Sequence, residues 1–380
     1  MKRRINKNHQ KLIFAGLFLV TAVIVCWLKW PKPSHPDIIL ITVDALRADH
    51  LSAYGYSRKT SPNIDNLAKE GEIFLNCSAV SSKTVCSIPG LFTGRYLAVN
   101  KGESFWVNVF DEKFATLQRY LKGFGYFTAA LVGNIHIKES KGFTKDFDLF
   151  YFNNNGENSG YKLTVEAMKL LNSRRKNKPI FIWLHYMDAH VPYYPLEEYL
   201  KIFEKDVLFK ENDKILCLRP DNLNSSPYSS DGYLPRAAYC EGKLSLNHYI
   251  ARYDAGILSA DFCIGNLLNN IKKDTIVILT ADHGESLGEH NRYFTHGENI
   301  YEGVLHIPLI LRDNKNFTGG KKISEPVSAV DIVPTILSRI DPLWYFFNSK
   351  KFNGIDLRQV YPQGVYLFIL SLGMEYKGYR

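Results

Sequence analysis

The chain has 380 residues, 46% of them hydrophobic and 22% charged, with 26 Gly and 16 Pro, which excludes a disordered or low-complexity protein. That length allows two domains or one large α/β unit. The net charge is +9, yet seven basic residues (Lys2, Arg3, Arg4, Lys7, Lys11, Lys29 and Lys32) lie before residue 33 with no acid among them, so the remainder is nearly neutral and lacks the footprint of a nucleic-acid binder.

In chain order, residues 12–28 (LIFAGLFLVTAVIVCWL) come first, an uncharged apolar run at the short limit for crossing a hydrocarbon core of about 30 Å. Trp27 and Trp30 extend it toward an interfacial belt, and the cations before it outnumber those after it. The expectation is a cytoplasmic tail over 1–11, a transmembrane anchor over 12–30, a Pro-rich tether over 31–36, and a remainder that is extracytoplasmic: periplasmic, extracellular or lumenal. The membrane would then be one partner. A cleaved signal peptide is the competing reading, against which no small-residue cleavage site follows the run. Of the six cysteines, Cys26 lies inside the run, and Cys217 and Cys240 are the expected disulfide pair if the compartment is oxidising.

Residues 37–43 (DIILITV) form a continuous apolar strand of the kind buried on both faces of a parallel sheet. Similar runs recur at 128–132, 179–185, 275–280 and 307–311, separated by helical stretches at 62–71, 114–123, 164–172 and 253–271. Strands alternating with helices indicate a doubly wound, mostly parallel α/β sheet with helices on both faces. One domain is expected over 37–357, with an irregular insertion at 200–245 and a short C-terminal segment over 358–380.

Three of these strands end in polar residues. Asp44 follows the first, Asp188 and His190 follow PIFIWLHYM, and Asp282 and His283 follow TIVILTA. Acids and imidazoles at buried strand ends are costly without a counter-charge, and a divalent cation is the usual remedy. Sheets of this class bind ligands at their carboxyl edges, where these residues fall.

The ordered motifs resemble the sulfatase-like branch of the alkaline phosphatase superfamily. They are DIILITVDALRADHLSAYGYSRKTSPNIDNLAKEG (37–71), 121–136, WLHYMDAHVP (183–192), TADHGESLG (280–288), HGENIYEGVLHIP (296–308) and SAVDIVPTIL (328–337). The resemblance implies that fold, with an abbreviated C-terminal subdomain, and an enzyme that binds one divalent metal ion (Mn, Zn, Ca or Mg) through Asp44, Thr84, Asp282 and His283. It implies Thr84 as nucleophile, because Thr84 stands nine residues before Thr93-Gly94 in KTVCSIPGLFTG (83–94). His190 and His296 would hold the substrate's charged oxygens or donate a proton. Asn134 and His136 would join them in substrate binding, Asn134 standing where relatives carry a lysine. A second cation on Asp188, His190 and His296 is left open.

Sulfatases proper carry a Cys or Ser that is converted to formylglycine, which threonine cannot become. Cys86 stands two residues too late and reads as a packed thiol. Ala45 replaces a usual second aspartate. These departures point to a hydrolase or transferase for phosphate esters, with a sulfatase lacking formylglycine and an inactive binding domain as alternatives. The substrate would be a phosphate or sulfate ester, on a lipid head group or a surface glycan. His185 is expected to be a satisfied strand histidine, and Glu285 a residue that orients others.

Overall fold

The computed structural model describes residues 35–97, 114–138, 142–153, 159–173, 178–205, 213–220, 232–240, 242–297, 299–315 and 319–359, together with the backbone of two C-terminal strands. The expected tail, the anchor and most of the tether lie outside the described residues, and among the described residues no helix is long and apolar enough to cross a membrane.

Eight strands form one sheet in the order β10-β2-β9-β6-β1-β5-β3-β4. Its centre is β1 (Ile38–Val43), β5 (Ile180–Tyr186) and β6 (Ile276–Thr280), every residue of which is buried. That burial on both faces is why these segments are uninterrupted apolar runs. Next to β5 come β3 (Phe127–Val132) and β4 (Leu149–Phe152); next to β6 come β9 (His306–Arg312), β2 (Glu72–Ser78) and the edge strand β10 (Lys321–Ser328). All neighbours pair in parallel except β9, which runs antiparallel to both β2 and β6. The starts of β1, β3, β5 and β6 therefore share one end of the sheet, and their carboxyl ends share the other.

The helices are α1 (Pro62–Glu70), α2 (Thr84–Thr93), α3 (Leu117–Gly123), the single turn α4 (Ile135–Lys138), α5 (Ser159–Ser173), α6 (Glu197–Glu204), α7 (Leu246–Leu268), the single turn α8 (Glu302–Leu305), α9 (Ile332–Ile340) and α10 (Pro342–Asn348). Ser245 caps α7 by accepting from the His248 N–H. From inside α7, the buried Asp261 accepts from the backbone N–H groups of Asn63 and Ile64, which ties that helix to the first turn of α1. Gly256 lets α7 pass close to strand-end backbone: a Cβ there would lie 2.1 Å from the Asp188 carbonyl oxygen.

Between α6 and α7 the described parts of the expected insertion contain only isolated bridges, Ile215 with Ser245 and Leu218 with Leu234. Cys217 and Cys240 are free thiols, which corrects the disulfide expectation. The Cys217 backbone is paired instead with Leu234, and the Cys240 thiol lies near the Ala238 carbonyl. At the C-terminus, β11 (Tyr366–Ser371) and β12 (Met374–Tyr379) form an antiparallel pair.

Candidate active site

Asp44 is the first residue beyond β1. Its N–H still bonds the Tyr186 carbonyl, and the chain turns away at Ala45, a non-glycine residue at φ 60°. Such a conformation costs an alanine about 1–2 kcal/mol. The Tyr253 hydroxyl holds the turn by donating to the Ala45 carbonyl and accepting from the Arg47 N–H.

The two Asp44 carboxylate oxygens have different fates. Oδ2 accepts from Asn134 Nδ2 at 2.7 Å and from His185 Nε2 at 3.0 Å. Oδ1 is buried without a hydrogen-bond partner and lies 3.5 Å from His283 Nε2. Asp282 repeats the pattern, for Oδ1 accepts the His283 N–H while the buried, unpartnered Oδ2 also lies 3.5 Å from His283 Nε2. His283 gives its Nδ1–H to the Gly284 carbonyl at 2.9 Å, which leaves Nε2 as a lone pair facing both orphaned oxygens.

Among the described residues this is the only group of three or more His, Cys, Asp or Glu side chains whose ligand atoms could share an ion, all lying within 4.8 Å of one another. Orphaned carboxylate oxygens converging on an imidazole lone pair in a fully buried setting fit a divalent cation, which would supply the missing positive charge. The titration of the group points the same way. Burial alone would raise Asp44 and lower His283, yet charge wins at both. His190, the His185 hydrogen bond and His283 hold Asp44 well below the usual carboxylate range, while Asp282 and Asp44 draw His283 upward.

Thr84 is the first residue of α2, following Lys83. Its hydroxyl does not cap the helix; it lies 3.4 Å from Asp44 Oδ2 and 3.2 Å from His283 Nε2. Four residues from three distant parts of the chain thus meet. From the second turn of α2, Ser87 donates to the Asp282 carbonyl and fixes the helix against that loop.

His190 and His296 form the open side, with side chains 16% and 17% exposed, above ligand groups that are almost wholly buried. Their rings lie 4.9 Å apart, and His296 stacks on His283 at 4.2 Å. His190 Nε2 is 4.0 Å from Asp44 Oδ1. Burial and the neighbouring His283 pull His296 below the ordinary imidazole range, against Glu285, so at neutral pH it is an uncharged ring. Its Nδ1 faces Glu285 Oε1 at 3.3 Å, which leaves Nε2 as the basic nitrogen.

Several expected roles change place. Asn134 spends its amide on Asp44 and its oxygen on the His136 N–H, so it orients Asp44. His136 is exposed on α4. Asp188, His190 and His296 do not form a group able to share an ion; the Asp188 carboxylate lies against Gly160 in α5, where a Cβ would sit 2.5 Å from Oδ2. Glu285 is fully buried and contacts His296, the Ser286 N–H and Tyr193, as expected of an orienting group. Cys86 is buried in α2 with its thiol pushed up to about 11 by burial, an inert state.

His185 does more than satisfy itself. The Trp183 Nε1–H donates to Thr42 Oγ1 at 2.9 Å, Thr42 Oγ1 meets His185 Nδ1 at 2.7 Å, and His185 Nε2 reaches Asp44. An indole can only donate and an ionised Asp44 can only accept, so a neutral His185 carries its proton on Nε2 and takes the Thr42 hydroxyl proton on Nδ1. The signal in the sequence was its inward parity in β5, opposite Thr42 in the register.

Arg47 ties the surrounding loops together. It forks onto Asp49 at 2.9 and 2.7 Å, donates to the Glu285 carbonyl at 3.0 Å and pairs with Glu289 at 2.7 Å. Two glycines make room: a Cβ on Gly284 would lie 2.1 Å from the Gly303 carbonyl oxygen, and one on Gly303 would lie 2.9 Å from an Arg47 nitrogen.

An N-acetylglucosamine-6-O-sulfatase from Bacteroides thetaiotaomicron is 27% identical over 80% of this chain and 68% of its own. Among solved structures, the phosphonate monoester hydrolase of Agrobacterium radiobacter superposes with TM-score 0.67 at 17% identity, over 88% of this chain and 80% of that one. The C-terminal periplasmic domain of EptC from Escherichia coli, in complex with Zn, superposes with TM-score 0.63 at 15% identity, over 91% and 93%. At those identities the two structures speak for the fold. Because the Sulfatase family model matches residues 36–341, which include every residue of the site, this chain belongs to the sulfatase family, a family of metal-binding ester hydrolases.

Proposed function

We propose that this sulfatase-family enzyme cleaves or transfers phosphate esters, phosphodiesters in the first place, through Thr84 as nucleophile. The observation that carries the reading is the Thr84 hydroxyl, 3.4 Å from Asp44 and 3.2 Å from His283 at the start of α2, with Cys86 packed away as an inert thiol.

Asp44, Asp282 and His283, with the Thr84 oxygen, would hold one divalent ion, and the imidazole in the set favours Zn over Ca, Mg or Mn. When bound, that ion lowers the pKa of a coordinated hydroxyl and polarises an ester oxygen. The rest falls to the chain. The start of α2 favours negative charge on Thr84. Asp44 is kept in place for this by Asn134 and His185. Thr84 attacks phosphorus in line: its hydroxyl proton passes to the uncharged His296 Nε2, a Thr84 Oγ1–P bond forms as the ester P–O bond breaks, and His296 returns that proton to the leaving alcohol. His190, on the open side, binds the equatorial oxygens. His296 Nε2 accepts the proton of the incoming water or acceptor hydroxyl, whose attack breaks the bond to Thr84 and restores the threonine.

The test is turnover of phosphodiester and sulfate-ester model substrates with Mn, Zn or Ca. Thr84→Ala should lower kcat by about 10³-fold or more, roughly 4 kcal/mol, while metal content measured by mass spectrometry stays at the wild-type level. The Thr84 peptide should gain a phosphoryl ester during turnover. Full activity in Thr84→Ala ends this assignment, and turnover of sulfate esters alone favours the sulfatase reading.

The apolar run at residues 12–28 behind five cations supports anchoring, with residues 36–380 outside the cytoplasm. An outward address favours esters on lipid head groups or surface glycans. The glycan half of that choice accords with a relative named for an N-acetylglucosamine-6-O ester.

A further inference from the structure

The helix α10 presents an apolar face that nothing among the described residues covers. Leu343, Phe346 and Phe347 are 68%, 73% and 75% exposed, and at spacings of three and four residues they project to one side. Three large side chains in one patch differ from the scattered apolar residues any surface carries. Trp344, between them, turns inward onto Tyr120 at 5.2 Å and Phe124 at 5.6 Å, so the helix is fixed to the last turn of α3. Exposed Lys350 and Lys351 follow immediately, and Lys351 lies over the Trp344 ring.

Two chains of contacts say which end of the domain this is. Two residues beyond Phe124, the Tyr126 hydroxyl donates to the Pro36 carbonyl at 2.8 Å, where the tether enters β1. Separately, Gly94, just past the last residue of α2, accepts through its carbonyl from the N–H groups of Asn353 and Gly354. Thr84 is the first residue of the same helix, so segment 353–354 lies one ten-residue helix, about 15 Å, from the catalytic threonine. The apolar face therefore lies at the end where the strands begin, and the Asp44 site lies across a six-residue strand, roughly 20 Å away. The same end carries exposed Lys178, Lys272 and Lys273 at the starts of β5 and β6, with Asp274 as the exposed acid beside them.

We propose that Leu343, Phe346 and Phe347 bed into the bilayer that carries the N-terminal apolar run, with Lys350 and Lys351 at its anionic head groups, so that the Thr84 cleft opens away from that membrane. The proposal rests on the anchored reading above. An aromatic face flanked by lysines is the chemistry of an interfacial helix, and the five exposed lysines at this end complement an anionic surface. The consequence concerns the substrate. A head group of the same bilayer lies on the wrong side of the domain, so the ester is one carried on a surface glycan or a soluble molecule.

The test uses the full chain in vesicles of phosphatidylcholine and phosphatidylglycerol that contain a diazirine-bearing lipid, with photolabelled peptides mapped by mass spectrometry. Label is expected in residues 342–351 and should fall at least fivefold in Phe346→Ser/Phe347→Ser, which should turn over a soluble ester at the wild-type rate. Label in 12–30 with none in 342–351 overturns the docking and leaves the anchor standing; label in 342–351 with none in 12–30 supports the docking and removes the anchor. Label on the segments around His190 and His296 overturns the orientation. Cross-links joining residues 343–347 of two copies, in place of lipid label, overturn the proposal in favour of a dimer.

Discussion

Asp44 shows how much a single side chain depends on its neighbours. Removing the imidazole in His185→Phe strips one donor from Asp44 Oδ2 and leaves the Thr42 hydroxyl and Trp183 N–H in a changed network. Residues that orient a metal ligand are commonly worth 10–100-fold, so this variant should lose about that much in metal affinity and turnover, read by titration with Mn or Zn alongside kinetics. Asp188 offers the opposite case. Burial pushes its carboxyl up to about 7, the Asp188 and Met187 N–H groups offsetting only part of that. A carboxyl whose pKa is raised by folding stabilises fully below its unfolded value near 4, and that contribution is lost as the pH rises through 7. Asp188→Asn should therefore melt with the wild type near pH 4 and several degrees above it at pH 8. A loss of one of two bound ions in that variant would instead restore Asp188 as a ligand. The meeting of Asp44, Asp282, His283 and Thr84 was legible because each follows an apolar strand or opens a motif. The roles of His185 and Asn134 were not, since they depend on which strands become neighbours, which no local pattern records.

Elements were legible in proportion to their burial. The strands β1, β3, β5, β6 and β9 read as apolar runs because both their faces are covered. β10 (KKISEPVS) was invisible, being an edge strand whose first six residues are not fully buried and which tolerates Pro326. The antiparallel insertion of β9 between β2 and β6 leaves no mark on composition at all. Helix α7 was recognised from residue 253, whereas it begins at Leu246, two turns of capped helix earlier, because Ser245 and the polar residues after it resemble the insertion they close. Its interior holds the sharper constraint. Gly256→Ala would drive a methyl to 2.1 Å from the Asp188 carbonyl, and since backbone on both sides must move, a loss of about 2–3 kcal/mol is expected by chemical denaturation, with the urea slope unchanged.

For the molecule as a whole, the buried acids make folding and ion binding one equilibrium. Chelation should lower the melting temperature markedly at neutral pH, and re-addition of Mn or Zn should restore it in proportion to the logarithm of free ion, measured by scanning calorimetry. An apo protein as stable as the loaded one would mean that the orphaned oxygens are neutralised in another way. Arg47 has a further consequence at this scale. One guanidinium fills the slot left by Gly303 and grips Asp49, Glu289 and the Glu285 carbonyl at once, so the turn after β1 and the loop after β6 share a single bolt. A lysine there could engage one of them but not the planar fork. The floor of the cleft is thus barred from drifting piecemeal, and divergence in what the enzyme accepts is channelled to the rim.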